Sequence, residues 1–554
     1  VAAFSKKKIL GASIGNCVHV AGILNFLKQA QHFGYETHFL GPAVSIERIK
    51  EAINHYDPTI IAISFRLTPE VLEKFLASFK KEVKKQGWKE KTFVFGGTPP
   101  TAEVAQKSGL FDAVFSGLEP AEKITSFLKG KIEEIKAERI PPQNLIDRIA
   151  SNAPYPLLRH HFGLPTVANT VKGAREIALS GTIDILSIGP DQNAQESFFR
   201  PEKMKKEQDG AGGVPLRKPA DLEAIYKATR CGNYPLLRCY SGTRDLTKWA
   251  EMSLKTINIA WGAIPLCWYN QLDGRSDRTP LESIEENQKV MKWYAEHKIP
   301  LEVNESHHWS LRDAPDTVAV AAAFLAAYNA KKMGANFYLS QYMFNTPSNT
   351  SPLMDLAKML AKIELIESLH DKNFTTIRQM RTGLASLSPD PNVAKGQLCS
   401  SSIFQLALEP KIIHVVGFCE GNHAALPSDI IESAKIVQGV INNFSLGPPQ
   451  ILNDSRIKKR KDELVEKAKY LLQAIKKLSS GKVKDAWTDP RTIVRAIQTG
   501  LLDAPHLAGC PYAAGKVFTQ IINGACVAID PQSGKRLSEK ERISQISNIR
   551  VRPS

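Results

Sequence analysis

A chain of 554 residues that is 43% apolar can bury large cores, and its length points to two or three domains. Its 72 basic and 56 acidic residues leave a net charge of +16, yet the excess lies in helix-like stretches such as Lys80-Lys81 to Lys85 and Lys458-Lys-Arg-Lys461. These stretches carry no interleaved aromatics, which argues against nucleic acid as a partner. Eight cysteines, at 17, 231, 239, 267, 399, 419, 510 and 526, form no Cys-x-x-Cys pair. That speaks against structural zinc, a disulfide framework and the cysteine triplet of radical S-adenosylmethionine enzymes, and for a reducing, cytoplasmic setting. No apolar run reaches membrane-spanning length, so a soluble chain is expected.

In chain order, Lys8 to Gly22 comes first: a short apolar run breaks into a glycine-containing turn with Cys17 and His19, then enters an amphipathic segment. The run after Lys6-Lys7-Lys8 is interrupted by Ser13, Asn16 and His19, so it reads as strand and loop rather than as a signal peptide. Apolar runs at 36–40, 58–64 and 92–96 alternate with helical patterns at 45–55 and 69–86, the rhythm of a doubly wound parallel sheet. The first loop then lies at the carboxyl edge of that sheet, where such folds bind ligands.

These residues resemble the cobalamin-binding domain, whose pattern is Asp-x-His-x-x-Gly, a Ser-x-Leu turn and a Gly-Gly pair. Here they read Cys17-Val-His19-Val-Ala-Gly22, Ser64-Phe-Arg66 and Gly96-Gly97. The resemblance implies that His19 is the lower axial ligand of cobalt, and that Cys17, Gly22, Ser64, Gly96 and Gly97 belong to the cofactor site. Cys17 stands where the family places an aspartate that orients and polarises the histidine. Arg66 stands in place of the leucine.

Residues 1–130 are expected to form this domain, closing with a helix near Gly130. A proline-rich linker follows at 131–164, with Pro141, Pro142, Pro154 and Pro156. From 165 to 445, strand-like runs at 183–188, 236–240, 257–261, 301–304, 337–343, 376–380 and 412–417 alternate with helical patterns at 281–297, 317–332, 353–369 and 428–443. Seven visible strands predict a (β/α)8 barrel. Polar residues gather at the strand ends, at Asp191-Gln192-Asn193, Arg238, Asn304-Glu305, Gln341 and Glu420. Residues 446–554 read as an extension whose amphipathic helix packs on the barrel.

The barrel resembles the catalytic subunit of the adenosylcobalamin-dependent glutamate mutase family. The markers are Leu236-Leu-Arg238 with Gly242-Thr243, Leu301-Glu-Val-Asn-Glu305, Gly417-Phe-Cys-Glu420, and Ile497 to Pro505 leading to Ala513-Ala-Gly-Lys516. The resemblance implies a radical carbon-skeleton mutase, an isomerase in which homolysis of the cobalt–carbon bond generates the radical that abstracts hydrogen from a small acid. It implies that Arg238 clamps a substrate carboxylate and that Glu420 holds the adenosine ribose, with Val416 where the family has a lysine. A homodimer follows from the resemblance alone. Asp191, Gln192 and Asn193, and less surely Ala168-Asn169, stand where further clamping arginines would lie. Asp191 is therefore expected to repel a second carboxylate, giving a substrate other than glutamate that offers an amine, hydroxyl or amide there.

Two alternatives are an aminomutase with pyridoxal phosphate on Lys172, Lys227 or Lys395, and a corrinoid methyltransferase using methylcobalamin. A non-catalytic cobalamin sensor is a third. His160-His161 and His307-His308 are not expected to bind metal, since neighbouring side chains on a strand diverge.

Overall fold

In the computed structural model the described residues are 8–117, 124, 127–128, 140–240, 242–445, 447–479 and 483–547. They fall into two compact units, Val1–Arg139 and Ile140–Ser554. The end of the helix expected near Gly130 lies outside the described residues.

The first unit is built on five parallel strands: β1 (Lys8–Ser13), β2 (Glu36–Phe39), β3 (Ile60–Phe65), β4 (Thr92–Gly97) and β5 (Ala113–Phe115). Their order is β2-β1-β3-β4-β5. Helices on both faces explain why β3 is buried at every position and β1 at all but its first. Helix Ile46–Tyr56 starts where the Ser45 side chain accepts the Arg48 N–H, and Pro69–Gln86 stops on Gly87 in the left-handed region. A Cβ on Gly11 would fall 2.6 Å from Leu27 Cδ1, so any larger residue there would displace the Leu27 side chain that packs helix Ala21–His32 on β1. The chain reverses its direction of growth between β1 and β3, and ligands bind at the carboxyl side of such a switch point.

The second unit contains eight parallel strands: β6 (Leu157–Phe162), β7 (Ile185–Ile188), β8 (Leu236–Cys239), β9 (Gly262–Ile264), β10 (Leu301–Val303), β11 (Phe337–Phe344), β12 (Thr375–Thr382) and β13 (Ile412–His414). Their order, β8-β7-β6-β13-β12-β11-β10-β9, joins the last strand to the first and leaves β8 and β9 at the seam. The seam is bridged by the Ala260 N–H donating to the Leu237 carbonyl at 2.8 Å, which makes a near-closed barrel.

Two expectations need correction. The stretch 131–164 is not all linker, because its Leu157–Phe162 is the first barrel strand. It was hidden because Arg159 and His161 point into a polar interior and break the apolar alternation. The fourth strand is Gly262–Ile264 rather than 257–261, since Ile257 closes helix Leu246–Ile257 with Asn258 left-handed at its cap.

Helix Asp316–Lys332 is apolar nearly all round, because the barrel covers one side and the late helix Ser455–Lys477 the other. The late helix buries Leu464, Val465, Ala468, Leu471, Leu472 and Ile475. An antiparallel hairpin, β14 (Phe518–Ile522) with β15 (Ala525–Ile529), follows it. A buried charge cluster ties these parts together: Lys358 Nζ lies 3.0 Å from Asp355 and 3.3 Å from Asp316, and Arg460 Nη2 donates to Asp316 at 2.9 Å.

Lys362 lies close to this cluster, and burial, reinforced by the charge of Lys358, pushes its ammonium down to about 7. Its unfolded-state value is higher, so the unfolded chain binds more protons in the window between the two and stability rises with pH there. Lys362→Met is therefore expected to stabilise the barrel near neutral pH by on the order of a few kcal/mol and to flatten that rise. Urea midpoints at about pH 7 and about pH 9 check this, and an unchanged slope would contradict it.

Candidate functional site

The loop leaving β1 at the switch point is held from within. Ser13 Oγ donates to the Cys17 carbonyl at 2.9 Å. Cys17 is fully buried; its Sγ accepts the Arg66 backbone N–H at 3.4 Å and lies 3.7 Å from His19 Nδ1. His19 is itself exposed, so the ring meets the protein through Nδ1 and keeps Nε2 for a ligand. Cys17 thus stands against the His19 ring, with a thiol where a carboxylate would be more polarising.

Beside this loop, Ser13, Ser64 and Gly96 lie in register across β1, β3 and β4 and share one face of the sheet. Ser64 Oγ is buried without a hydrogen-bond partner among the described residues. Nothing stands within 4 Å of a Cβ built on Gly96 or Gly22. Ser64 thus carries a buried hydroxyl without a partner, in register with a glycine at which a side chain would meet nothing. Gly97 differs: a Cβ there would meet Thr101 Oγ1 at 2.3 Å and the Phe65 carbonyl at 2.7 Å, so this glycine serves packing.

In the second unit the carboxyl ends of the strands open on a cavity of about 450 Å³. Its walls include His161, Tyr240, Tyr269, Arg381, His414 and Glu420. Tyr240 and Tyr269 share a hydroxyl hydrogen bond of 2.7 Å, and Tyr269 reaches His308 Nε2 at 3.4 Å. Arg159 Nη2 lies 3.0 Å from His161 Nε2, and because a guanidinium can only donate, that imidazole nitrogen accepts. Burial and then the charge of Arg159 hold His161 and His414 well below the usual histidine range, so both are neutral. Burial opposes ionisation of Glu420, but His160, the Gly417 N–H and Arg381 outweigh it and hold the carboxyl below its ordinary value. Glu420 Oε1 accepts the Gly417 N–H at 2.8 Å and lies 3.4 Å from His160 Nε2.

Glu302 occupies the barrel interior. It accepts Trp261 Nε1 at 2.6 Å and lies 3.7 Å from both Arg159 Nη1 and Arg238 Nη2. Arg238 is wholly buried, its guanidinium 5.2 Å from the Tyr240 ring and 5.5 Å from that of Trp261. None of its three guanidinium nitrogens has a hydrogen-bond partner among the described residues.

The other residues expected at the barrel mouth serve the scaffold. Asp191 does not face the cavity: its carboxylate takes both Arg217 nitrogens, at 3.0 and 2.6 Å, caps Ala194 at 2.8 Å and accepts the Gly210 N–H. Asn193 ties down Lys205 and Asp209, and Gln192 is exposed. Glu305 is buried, accepting the Leu266 and Cys267 N–H groups and Trp309 Nε1 to shape a neighbouring loop. His307 and His308 do not diverge, because they lie on the short helix Ser306–Ser310 with rings 4.4 Å apart. Lys172, Lys227 and Lys395 are absent from the cavity wall. The residues the sequence reading missed are Arg381, Tyr240, Tyr269 and His414.

Residues 7–123 match the family described as the B12 binding domain. The N-terminal unit is a cobalamin-binding domain. Its residues fit the cofactor: His19 offers an exposed imidazole already held through its other nitrogen, Ser64 has an unpartnered hydroxyl, and no atom crowds the Cβ direction of Gly96. Among solved structures, the chain is similar to a novel cobalamin-binding protein from Desulfitobacterium hafniense DCB-2, at 22% identity and a TM-score of 0.21. That similarity covers 24% of this chain and 60% of the other, so the chain spans less than two thirds of that protein. It is also similar to the cobalamin-dependent S-adenosylmethionine radical enzyme OxsB, at 11% identity and a TM-score of 0.19, covering 89% of this chain and 71% of the other. No curated protein matches the chain. Among the described residues no helix is long and apolar enough to cross a membrane.

Proposed function

We propose that the chain is an adenosylcobalamin-dependent radical mutase acting on a small acid, with His19 as the axial ligand of cobalt and the barrel cavity as the substrate site. The observation that carries the substrate class is the charge balance inside the barrel. Arg159, Arg238 and Arg381 gather around the carboxylate of Glu302, with Arg381 also facing that of Glu420, so the three guanidinium groups outnumber the two carboxylates, and Arg238 has three donor nitrogens without acceptors. A carboxylate supplies the missing acceptors in the bidentate geometry a guanidinium favours.

Bound adenosylcobalamin would supply radical chemistry through its weak cobalt–carbon bond. The chain's own work is to hold the acid, with Arg381 on the cavity wall and Arg238 beneath Tyr240, and to keep water away. His161 and His414, both neutral, add no charge to a wall whose cations are Arg381 and Arg275. Glu420, ionised on that wall, is suited to vicinal hydroxyls, in keeping with a ribose-holding role.

The expected discrimination against glutamate loses its electrostatic basis, since Asp191 is neutralised by Arg217 and does not meet the cavity. What remains is the absence of arginines at 191–193. Anaerobic mixing of the adenosylcobalamin-loaded chain with a panel of small carboxylates, glutamate included, followed by freeze-quench spin resonance, tests the proposal. One member is expected to give a cobalt-coupled organic radical. Radicals with none, together with methyl transfer to an acceptor from the methylcobalamin-loaded chain, would replace the mutase with the methyltransferase reading.

A further inference from the structure

Cys419, His423 and Asp429 stand together at the rim of the barrel cavity, apart from the groups assigned above. One ligating atom from each lies within 4.8 Å of the other two, the one such three-residue group of metal-ligating side chains among the described residues. Cys419 is buried, on the turn Phe418–Gly421; His423 is exposed and lines the cavity; Asp429 is half-buried in the first turn of helix Pro427–Ser445. His423 Nε2 lies 3.4 Å from Asp429 Oδ2. That oxygen also accepts the Leu426 N–H at 3.0 Å, which leaves the carboxylate further lone pairs. The Asn422 and His423 N–H groups both donate to the Cys419 carbonyl at 2.8 Å, fixing the loop between the first two ligands.

We propose that Cys419, His423 and Asp429 bind a borderline divalent transition-metal ion, zinc foremost. One thiolate, one imidazole and one carboxylate suit zinc in charge and softness, whereas magnesium and calcium prefer all-oxygen sets. Three protein ligands leave a fourth position open, as in zinc sites that keep a water or bind a small ligand. His423, the one of the three that lines the cavity, would bring the ion to its edge. On binding, the thiol proton passes to solvent as the sulfur–metal bond forms. The scattered cysteines conceal this site from spacing rules, since its ligands follow a Cys-x3-His-x5-Asp pattern across a turn and a helix start.

The test uses the full chain, purified without corrinoid and stripped of metal by a chelator, then titrated with Co²⁺. The wild type is expected to bind about one equivalent with a sulfur-to-cobalt charge-transfer band and the strong visible bands of four-coordinate cobalt, and to release it to zinc. His423→Ala, at an exposed position that does not threaten folding, is expected to weaken binding by more than about tenfold. Asp429→Asn should weaken it as well, and Cys419→Ser should remove the charge-transfer band. No such band in the wild type, or wild-type affinity in His423→Ala, would overturn the site. Should Cys419→Ser fail to fold, the other two variants decide.

Discussion

Replacing His19 by glycine is expected to remove the imidazole nitrogen hyperfine coupling from the spin-resonance spectrum of the cob(II)alamin-loaded chain. The ring is exposed and is engaged through Nδ1 by Cys17 at 3.7 Å, so Nε2 is the nitrogen that would carry the coupling. Loss of the ligand should also weaken corrinoid binding by at least about tenfold, the scale on which even outer groups of a metal site act. Cys17→Asp restores the more usual partner and should keep the coupling. Unchanged coupling in His19→Gly would show that the imidazole comes from elsewhere.

Arg238→Met is expected to cost about 2–5 kcal/mol of substrate binding, the range for truncating one member of a buried charge pair. Its guanidinium is wholly buried, has no hydrogen-bond partner among the described residues and stands 3.7 Å from Glu302, so a carboxylate that reaches it meets donor nitrogens held by no hydrogen bond. Methionine keeps much of the volume between Tyr240 and Trp261. Corrinoid affinity should stay near that of the wild type, because the cobalamin-binding residues lie in the other unit. Calorimetric titration with the acid that gives the radical checks this; normal substrate binding would make Arg238 a structural counter-ion of Glu302.

The cobalamin-binding domain was legible because its signal is local. Cys17, His19 and Gly22 lie within six residues, from the loop into the first turn of the next helix, and Ser64 and Gly96 follow near the ends of strands whose apolar runs are unmistakable. Most barrel strands were legible from their apolar runs; the reading failed at Leu157–Phe162, where alternate residues are Arg159 and His161, and misplaced Gly262–Ile264, whose three residues follow the apolar end of a helix. Asp191 was misread because its partner, Arg217, lies 26 residues on, and nothing local shows that the carboxylate is spoken for. Of the cavity wall, only Glu420 was singled out as a site residue in the sequence. Tyr240, Arg381 and His414 stand at the carboxyl ends of three different strands, each at or beside an expected strand, and that position is the clue that could have found them. The orphan donors of Arg238 are a property of packing, visible only once Glu302, Trp261 and Tyr240 surround it.

The identity of the cofactor's upper ligand tests the account most directly. The chain, produced in a corrinoid-supplied host and purified in the dark, should yield adenosylcobalamin on extraction, near one per chain, by chromatography with mass detection. Methylcobalamin in its place, or no retained corrinoid, would contradict the account.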